Sequence, residues 1–285
     1  MQAGEKRCIP AVFLWGSPVS RLKNPWKTYI IDKDYGTATA LRQADRQGLQ
    51  ARRLSMFTGF PEETLQFFLD IRFHNNNTYF NENRERFRQD VQEPFYAFIN
   101  ELAPAMREID PQMELRPYKC LARIRRDTRF SRDKSPYRDH LWVLFRRAAE
   151  PREGSVNYWF EISPTSVGWG LGTWGENRPG MDALRRRIAA QPLRARDIVD
   201  DCHLYARGMA VQGSFFKRID IPDNVPPSLH WLYKGRELYI VRERTQLQWI
   251  YDAKLADRVL ADYQAMAPLY RLLRGAWDEA VEQSE

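Results

Sequence analysis

Apolar positions along the chain fall into blocks of different period, and the period changes near the middle. Behind Pro61 and the acids Glu62 and Glu63, which suit the positive end of a helix, Leu65, Phe68, Leu69 and Phe73 form a stripe at helical spacing. After the Asn75-Asn76-Asn77 break, Phe80, Phe87, Val91, Phe95, Phe98, Leu102 and Met106 recur at steps of three, four or seven. This spacing predicts a long amphipathic helix that Pro94 kinks or divides and that ends before Asp110-Pro111. Near the C-terminus Leu255, Val259, Tyr263, Met266, Tyr270, Leu273 and Trp277 predict another, capped at Asp252 and bent at Pro268. Residues 181–190 and 194–203 read as helices, and 228–233 as a short one.

The central block reads as strands. In 155–163, Val156, Tyr158, Phe160 and Ile162 alternate with more polar positions, and in 167–173 one face is large while the other is Gly168, Gly170 and Gly172. Such a bare face lets a helix, another backbone or a ligand come close. Residues 121–126 and 140–146 predict two further strands, the second apolar on both faces and therefore central, and 237–242 predicts one more. Helices on either side of a block of strands indicate an α+β fold: an antiparallel or mixed sheet with helices packed before and after it around a single core.

Residues 56–285 are expected to form that single domain. The first 55 residues show no sustained periodicity and are punctuated by Pro10, Pro18, Pro25, Gly36 and Gly48, as in a loosely ordered extension. Translation starting at Met56 would leave this segment outside the native product.

Composition and charge sharpen the picture. With 43% hydrophobic and 13% aromatic residues the chain has material for a sizeable core. Cys8, Cys120 and Cys202 are odd in number, far apart and not at metal-ligand spacing, so neither disulfides nor a metal is expected, and a cytoplasmic location is. No apolar run approaches the roughly 18 residues of a membrane helix. Of the net charge of +7, residues 1–55 hold +6, with ten Lys or Arg against four acids, so the remainder is close to neutral. A body with so little net charge disfavours broad nucleic-acid binding.

Within that body, Arg123 to His140 carries seven Lys or Arg and three acids. Guanidinium groups bind carboxylate or phosphate bidentately, so a loop with surplus cations points to an anion site. Arg126, Arg129, Lys134 and Arg138 are the candidates to hold the anion, with Asp127 or Asp133 as general base and Tyr137 as donor if there is turnover. Asn76, Tyr79 and His140 could complete a pocket if the asparagine break faces the loop. Two other readings use the same residues: an ion-pair network in which Asp127, Asp133 and Asp139 simply tie the loop down, and a non-catalytic module that contacts protein or nucleic acid. No cofactor is implied.

Three weaker signals carry nothing further. Ser131-x-x-Lys134 has acyl-enzyme spacing but sits in a proline-bearing charged loop. Cys202-His203 are neighbours that would diverge on a helix. The three alternating glycines do not open a helix as a phosphate loop does.

The block Arg126-Asp-Thr-Arg129-Phe130-Ser131-Arg-Asp133-Lys134-Ser-Pro136-Tyr137, preceded by Asn75-Asn76-Asn77-Thr-Tyr79-Phe80 and followed by Trp169-Gly170-Leu171-Gly172, resembles the bacterial family known as domain of unknown function 2461. The likeness runs from about residue 56 to 242. It implies no particular activity, substrate or cofactor. Tyr79 stands where that family commonly has Trp, and Arg138 where it commonly has Lys. Arginine stays protonated, so any proton-carrying role of that Lys could not pass to Arg138.

Overall fold

The computed structural model describes residues 57–283, so the expected extension and any start at Met56 lie outside the described residues. Helix α1 (Glu62–Phe73) starts after Pro61, with Glu62 and Glu63 in its first turn. Its buried face is Thr64, Leu65, Phe67, Phe68 and Ile71, one step round from the stripe read in the sequence. Leu69 and Phe73 are exposed instead, because the helix rests on its Phe67–Ile71 side.

The long helix is divided, as Pro94 requires. Helices α2 (Asn77–Glu82) and α3 (Arg84–Phe87) lead through one π-helical turn, Arg88–Gln92, into α4 (Glu93–Ile109). Pro94 has no N–H to give the Asp90 carbonyl four residues back. The buried Thr64 hydroxyl of α1 donates to that carbonyl, and the apolar face of α4 continues through Phe95, Phe98, Ile99, Leu102 and Met106 into the core. A short helix, α5 (Pro117–Cys120), follows.

The sheet has β1 (Leu141–Phe145), β2 (Val156–Ile162), β3 (Val167–Thr173), then helices α6 (Arg178–Ala190) and α7 (Pro192–Asp201), and β4 (Ala210–Phe215). After α8 (His230–Lys234) comes β5 (Gly235–Arg244), then α9 (Leu255–Ala265) and α10 (Ala267–Glu282). Strand order is β1-β2-β3-β5-β4 and every pairing is antiparallel. The α+β architecture is therefore as expected, with helices before and after the strands.

Three strand readings change. Residues 121–126 form no strand, only isolated bridges at Leu121–Val143 and Arg125–Tyr137. Strand β1 is an edge of the sheet, not its centre. Its doubly apolar pattern arises because the segment from Leu121 lies along its outer side, with Ala122 N–H donating to the Trp142 carbonyl. The unforeseen β4 has only Val211 and Phe215 as large apolar residues, with Gly213 between them, and so shows little alternation to read.

On the core face, Tyr158 of β2 stacks on Tyr270 and packs against Tyr263, and the Tyr263 hydroxyl returns to the Trp159 carbonyl at 2.6 Å. Pro268 enforces the break between α9 and α10 at Met266. Asp252 does not cap α9, which starts after Lys254; its carboxylate accepts the Lys254 N–H instead. No helix among the described residues is long and apolar enough to cross a membrane.

The opposite face presents Trp142, Trp159, Glu161, the β3 glycines and Tyr239. The space over the glycines is already filled: the Trp159 ring covers Gly168 and Gly170, and Tyr239 covers Gly172. A Cβ on Gly170 would collide with the Ile240 carbonyl of the neighbouring strand. Gly170→Ala should therefore lower the unfolding free energy by about 3 kcal/mol in urea denaturation, the cost of overpacking a site whose clashing atom is backbone.

Candidate functional site

The asparagine break and the charged segment meet at Tyr137. Asn75 grips the Tyr137 backbone at two points, its amide donating to the Tyr137 carbonyl and its oxygen accepting the Tyr137 N–H, each at 2.9 Å. The Tyr137 ring is buried, stacks on Phe80 at 4.2 Å between centroids, and its hydroxyl donates to Asn77 at 3.1 Å. Asn76 caps α2 by accepting the Tyr79 N–H, and Tyr79 stacks on His74. A buried, doubly clamped tyrosine fixes where the loop leaves and re-enters the fold.

Each acid in the segment then has a guanidinium. Asp127 takes Arg129 in a forked contact at 2.6 to 3.2 Å, and that pairing holds its carboxyl down to about 2. Asp133 pairs with Arg126 and accepts Ser135 N–H, so it too is held well below the usual carboxylate range. Asp139 is held by partners outside the loop tip, the His140 ring at 2.9 Å and Arg72 of α1 at 2.6 Å, both of which keep it ionised. Lys134 donates to the Thr128 carbonyl at 3.0 Å.

Arg123, Arg125, Arg132 and Arg138 have no ion pair with any of the described acids. Arg138 is half-buried, donates to the Arg125 carbonyl at 3.2 Å and lies 4.9 Å over the Trp142 ring. Burial, with Arg126 and Arg152 nearby, pushes its guanidinium below the ordinary arginine value. Arg152, in the β1–β2 connection, is exposed by area yet is shifted the same way by desolvation and then by Arg146 and Arg123. Arg146 donates to the carbonyls of Arg147 and Glu150 and forms no ion pair among the described residues. Arg146 and Arg152 lay outside the segment that composition singled out. Strand alternation was the available signal, because positions 138, 140, 142, 144 and 146 share one side of an extended chain.

His140 stacks on Trp142 at 5.7 Å with its Nδ1 engaged by Asp139, which leaves Nε2 without a described partner. Glu161 is directly across from Trp142 in the register and so diagonal to His140. It is largely buried and its Oε2 has no partner among the described residues. Burial raises its carboxyl above the usual range, opposed by His140 and reinforced by Glu243 and Asp139.

Thus the structure brings Arg138 and His140 together on Trp142, with Glu161 across the register and Arg152 near Arg138, while Arg146 lies near Arg152. It places Arg126, Arg129, Asp127 and Asp133 in pairs, Lys134 on a carbonyl, and Tyr137, Asn76 and Tyr79 in the clamp beside the loop. Two open surface depressions lie elsewhere, one of about 320 Å³ along α3 around Phe80, Arg84 and Arg88, the other of about 260 Å³ between α4 and α10. No group of three or more His, Cys, Asp or Glu suited to a metal occurs among the described residues.

Residues 63–272 match the family described as Conserved hypothetical protein (DUF2461). The chain belongs to that family. Neither the curated proteins nor the solved structures searched contain a match. The matched span includes Arg138, His140, Arg146, Arg152 and Glu161, the last three of which the sequence block alone did not reveal.

The raised carboxyl of Glu161 has a consequence for stability. A carboxyl that holds its proton more tightly folded than unfolded favours the folded state at low pH, and this contribution is lost as pH rises from the ordinary glutamate range through the raised value. Unfolding free energy measured against pH should therefore fall across that window, and Glu161→Gln should remove the decline.

Proposed function

We propose that this DUF2461 member is a cytoplasmic protein that binds a small phosphate- or carboxylate-bearing ligand beside β1. The observation that carries the reading is Arg138: half-buried, lacking an ion pair among the described residues, and crowded by Arg152 and Arg126. A guanidinium cannot shed its proton to escape such crowding, so an anion is the complement that relieves it. The indole of Trp142 and the Arg125 carbonyl orient Arg138, while Arg126, Arg129 and Lys134 border the site with their own partners.

If the bound group reacts, His140 is the better base than Asp127 or Asp133. Asp139 orients its ring and leaves Nε2 free, whereas both loop carboxyls are held ionised by their arginines. Glu161 supplies a carboxyl kept nearer its protonated form on the same face. Tyr137 then serves to anchor the loop.

One feature favours a second, non-catalytic reading. Phe130 at the loop tip is 63% exposed beneath Arg129, and Arg132 and Lys134 are exposed near it. This convex display suits an acidic surface of a protein or nucleic acid.

Inorganic phosphate at about a hundredfold excess over its dissociation constant stabilises a single-site protein by about 2.7 kcal/mol. Thermal unfolding should show that stabilisation in the native chain. In Arg138→Gln it should be clearly reduced while the ligand-free melting temperature changes little. Undiminished phosphate stabilisation in that variant, with loss of acidic-partner binding in an Arg132→Gln, Lys134→Gln double variant, would favour the module.

A further inference from the structure

A separate group of arginines lies at the far end of β5, on the side of the sheet that faces the helices. Arg207 comes from the turn after α7, Arg242 and Arg244 from the last residues of β5, and the acid among them is Asp262 of α9. Asp262 is buried and already accepts the Trp169 indole N–H at 2.8 Å. The same carboxylate receives Arg207 at 3.2 Å and Arg242 at 3.1 Å through one oxygen, and Arg242 Nε lies 2.8 Å from the other. Arg258 and Asp252 neutralise each other alongside, at 2.7 Å.

Arg244 has no ion pair among the described residues. It rests on Trp249 at 5.2 Å, and Arg258 also lies over that ring, at 4.7 Å. The buried Nε atoms of Arg207 and Arg244 have no acceptor among the described residues. Buried donors without acceptors are uncommon and mark a place where an ion or water belongs. Open space adjoins the Nη2 end of Arg244: Gly208 is left-handed at φ +69, and a Cβ built on it would have just one neighbour within 4 Å, the Arg244 Nη2 at 3.8 Å. Burial also pushes Arg242 below the ordinary arginine value, with Arg244 and Arg207 adding to the shift.

We propose that Arg207, Arg242 and Arg244 form a second anion site that takes a phosphoryl dianion, as free phosphate or as a small monoester. Three guanidinium groups around one carboxylate leave two positive charges, which a phosphoryl dianion matches and a single carboxylate does not. Two guanidinium groups already lie over Trp249, so the indole has little face to offer an aromatic ligand and a compact group fits better. The site shares no residue with the one beside β1, and either can exist without the other.

Because the Nε–H groups of Arg207 and Arg244 are buried, they should exchange slowly and give resolved arginine side-chain signals in ¹H–¹⁵N spectra of the full chain. Titration with inorganic phosphate at constant ionic strength should move both signals. Arg244→Gln should weaken the affinity read at Arg207 roughly tenfold, the usual effect of removing one charged hydrogen-bond partner, whereas Arg138→Gln should leave it unchanged. If Arg244→Gln fails to fold, Arg207→Lys read at the Arg244 signal serves the same purpose. A parallel titration with glycerol phosphate separates the sources: tighter binding of the ester indicates a monoester ligand, tighter binding of inorganic phosphate a free one. Signals that phosphate does not move, that chloride moves equally, or that retain full phosphate affinity in the variants would overturn the proposal. A failure of Arg138→Gln to affect phosphate stabilisation would count against the β1 site alone.

Discussion

Around β1, positive charge is brought together by backbone geometry and cannot be discharged by proton loss. Arg138 leads into the strand and Arg146 leaves it at the other end, and Arg152, from the following connection, lies near both and near Arg123. The carboxylates of the charged segment are already committed, Asp127 to Arg129, Asp133 to Arg126 and Asp139 to Arg72 and His140, and burial keeps Glu161 nearer its protonated form. What remains for the surplus guanidinium groups is carbonyl oxygen, water and the face of Trp142. Such contacts satisfy donors but do not cancel charge, and like charges near a low-dielectric surface repel more strongly than in bulk water.

The scaffold supports that arrangement from two sides. From below, the β3 glycines let Trp159 and Tyr239 lie flat on the sheet, so the outer face near Glu161 is filled by neighbouring rings. From the flank, Asn75 and Asn77 hold Tyr137, which sets the path of the chain into Arg138. Thr64 performs a similar service for the helix that carries the asparagines' neighbours, by taking over the carbonyl that Pro94 orphans. The charged residues are therefore displayed from an anchored chain, and their proximity is part of the native fold.

Much of this was legible in the chain itself, and the rest was not for definable reasons. Helical spacing and strand alternation report burial on one face, so the helices before and after the sheet, β2 and β3 stand out, and Pro94 and Pro268 mark real breaks. Burial from an irregular neighbour leaves the same mark as burial within a sheet, which is why β1 read as central although an extended segment covers its edge. Strand β4 lacks an apolar face and gave no signal. The charged block was evident from composition, and Arg123, Arg125, Arg132 and Arg138 within it have no ion pair among the described residues. Its most isolated member, Arg138, is joined by Arg152 from beyond the block, and Asp139 finds Arg72 sixty-seven residues away. Pairings over such separations are set by topology, which local sequence does not encode. The same holds for Arg207, Arg242 and Arg244, which meet only when the α7 turn folds onto the end of β5.

The most direct measurement of unmet positive charge beside β1 needs no ligand. It is the unfolding free energy of Arg152→Glu against that of the native chain, at low and at high ionic strength. Placing a carboxylate among Arg138, Arg146 and Arg123 should raise stability at low salt, with the gain shrinking as salt screens the charges. A variant that is less stable than the native chain at low salt, with the deficit easing as salt is added, would mean that the arginines are already neutralised and would contradict the account.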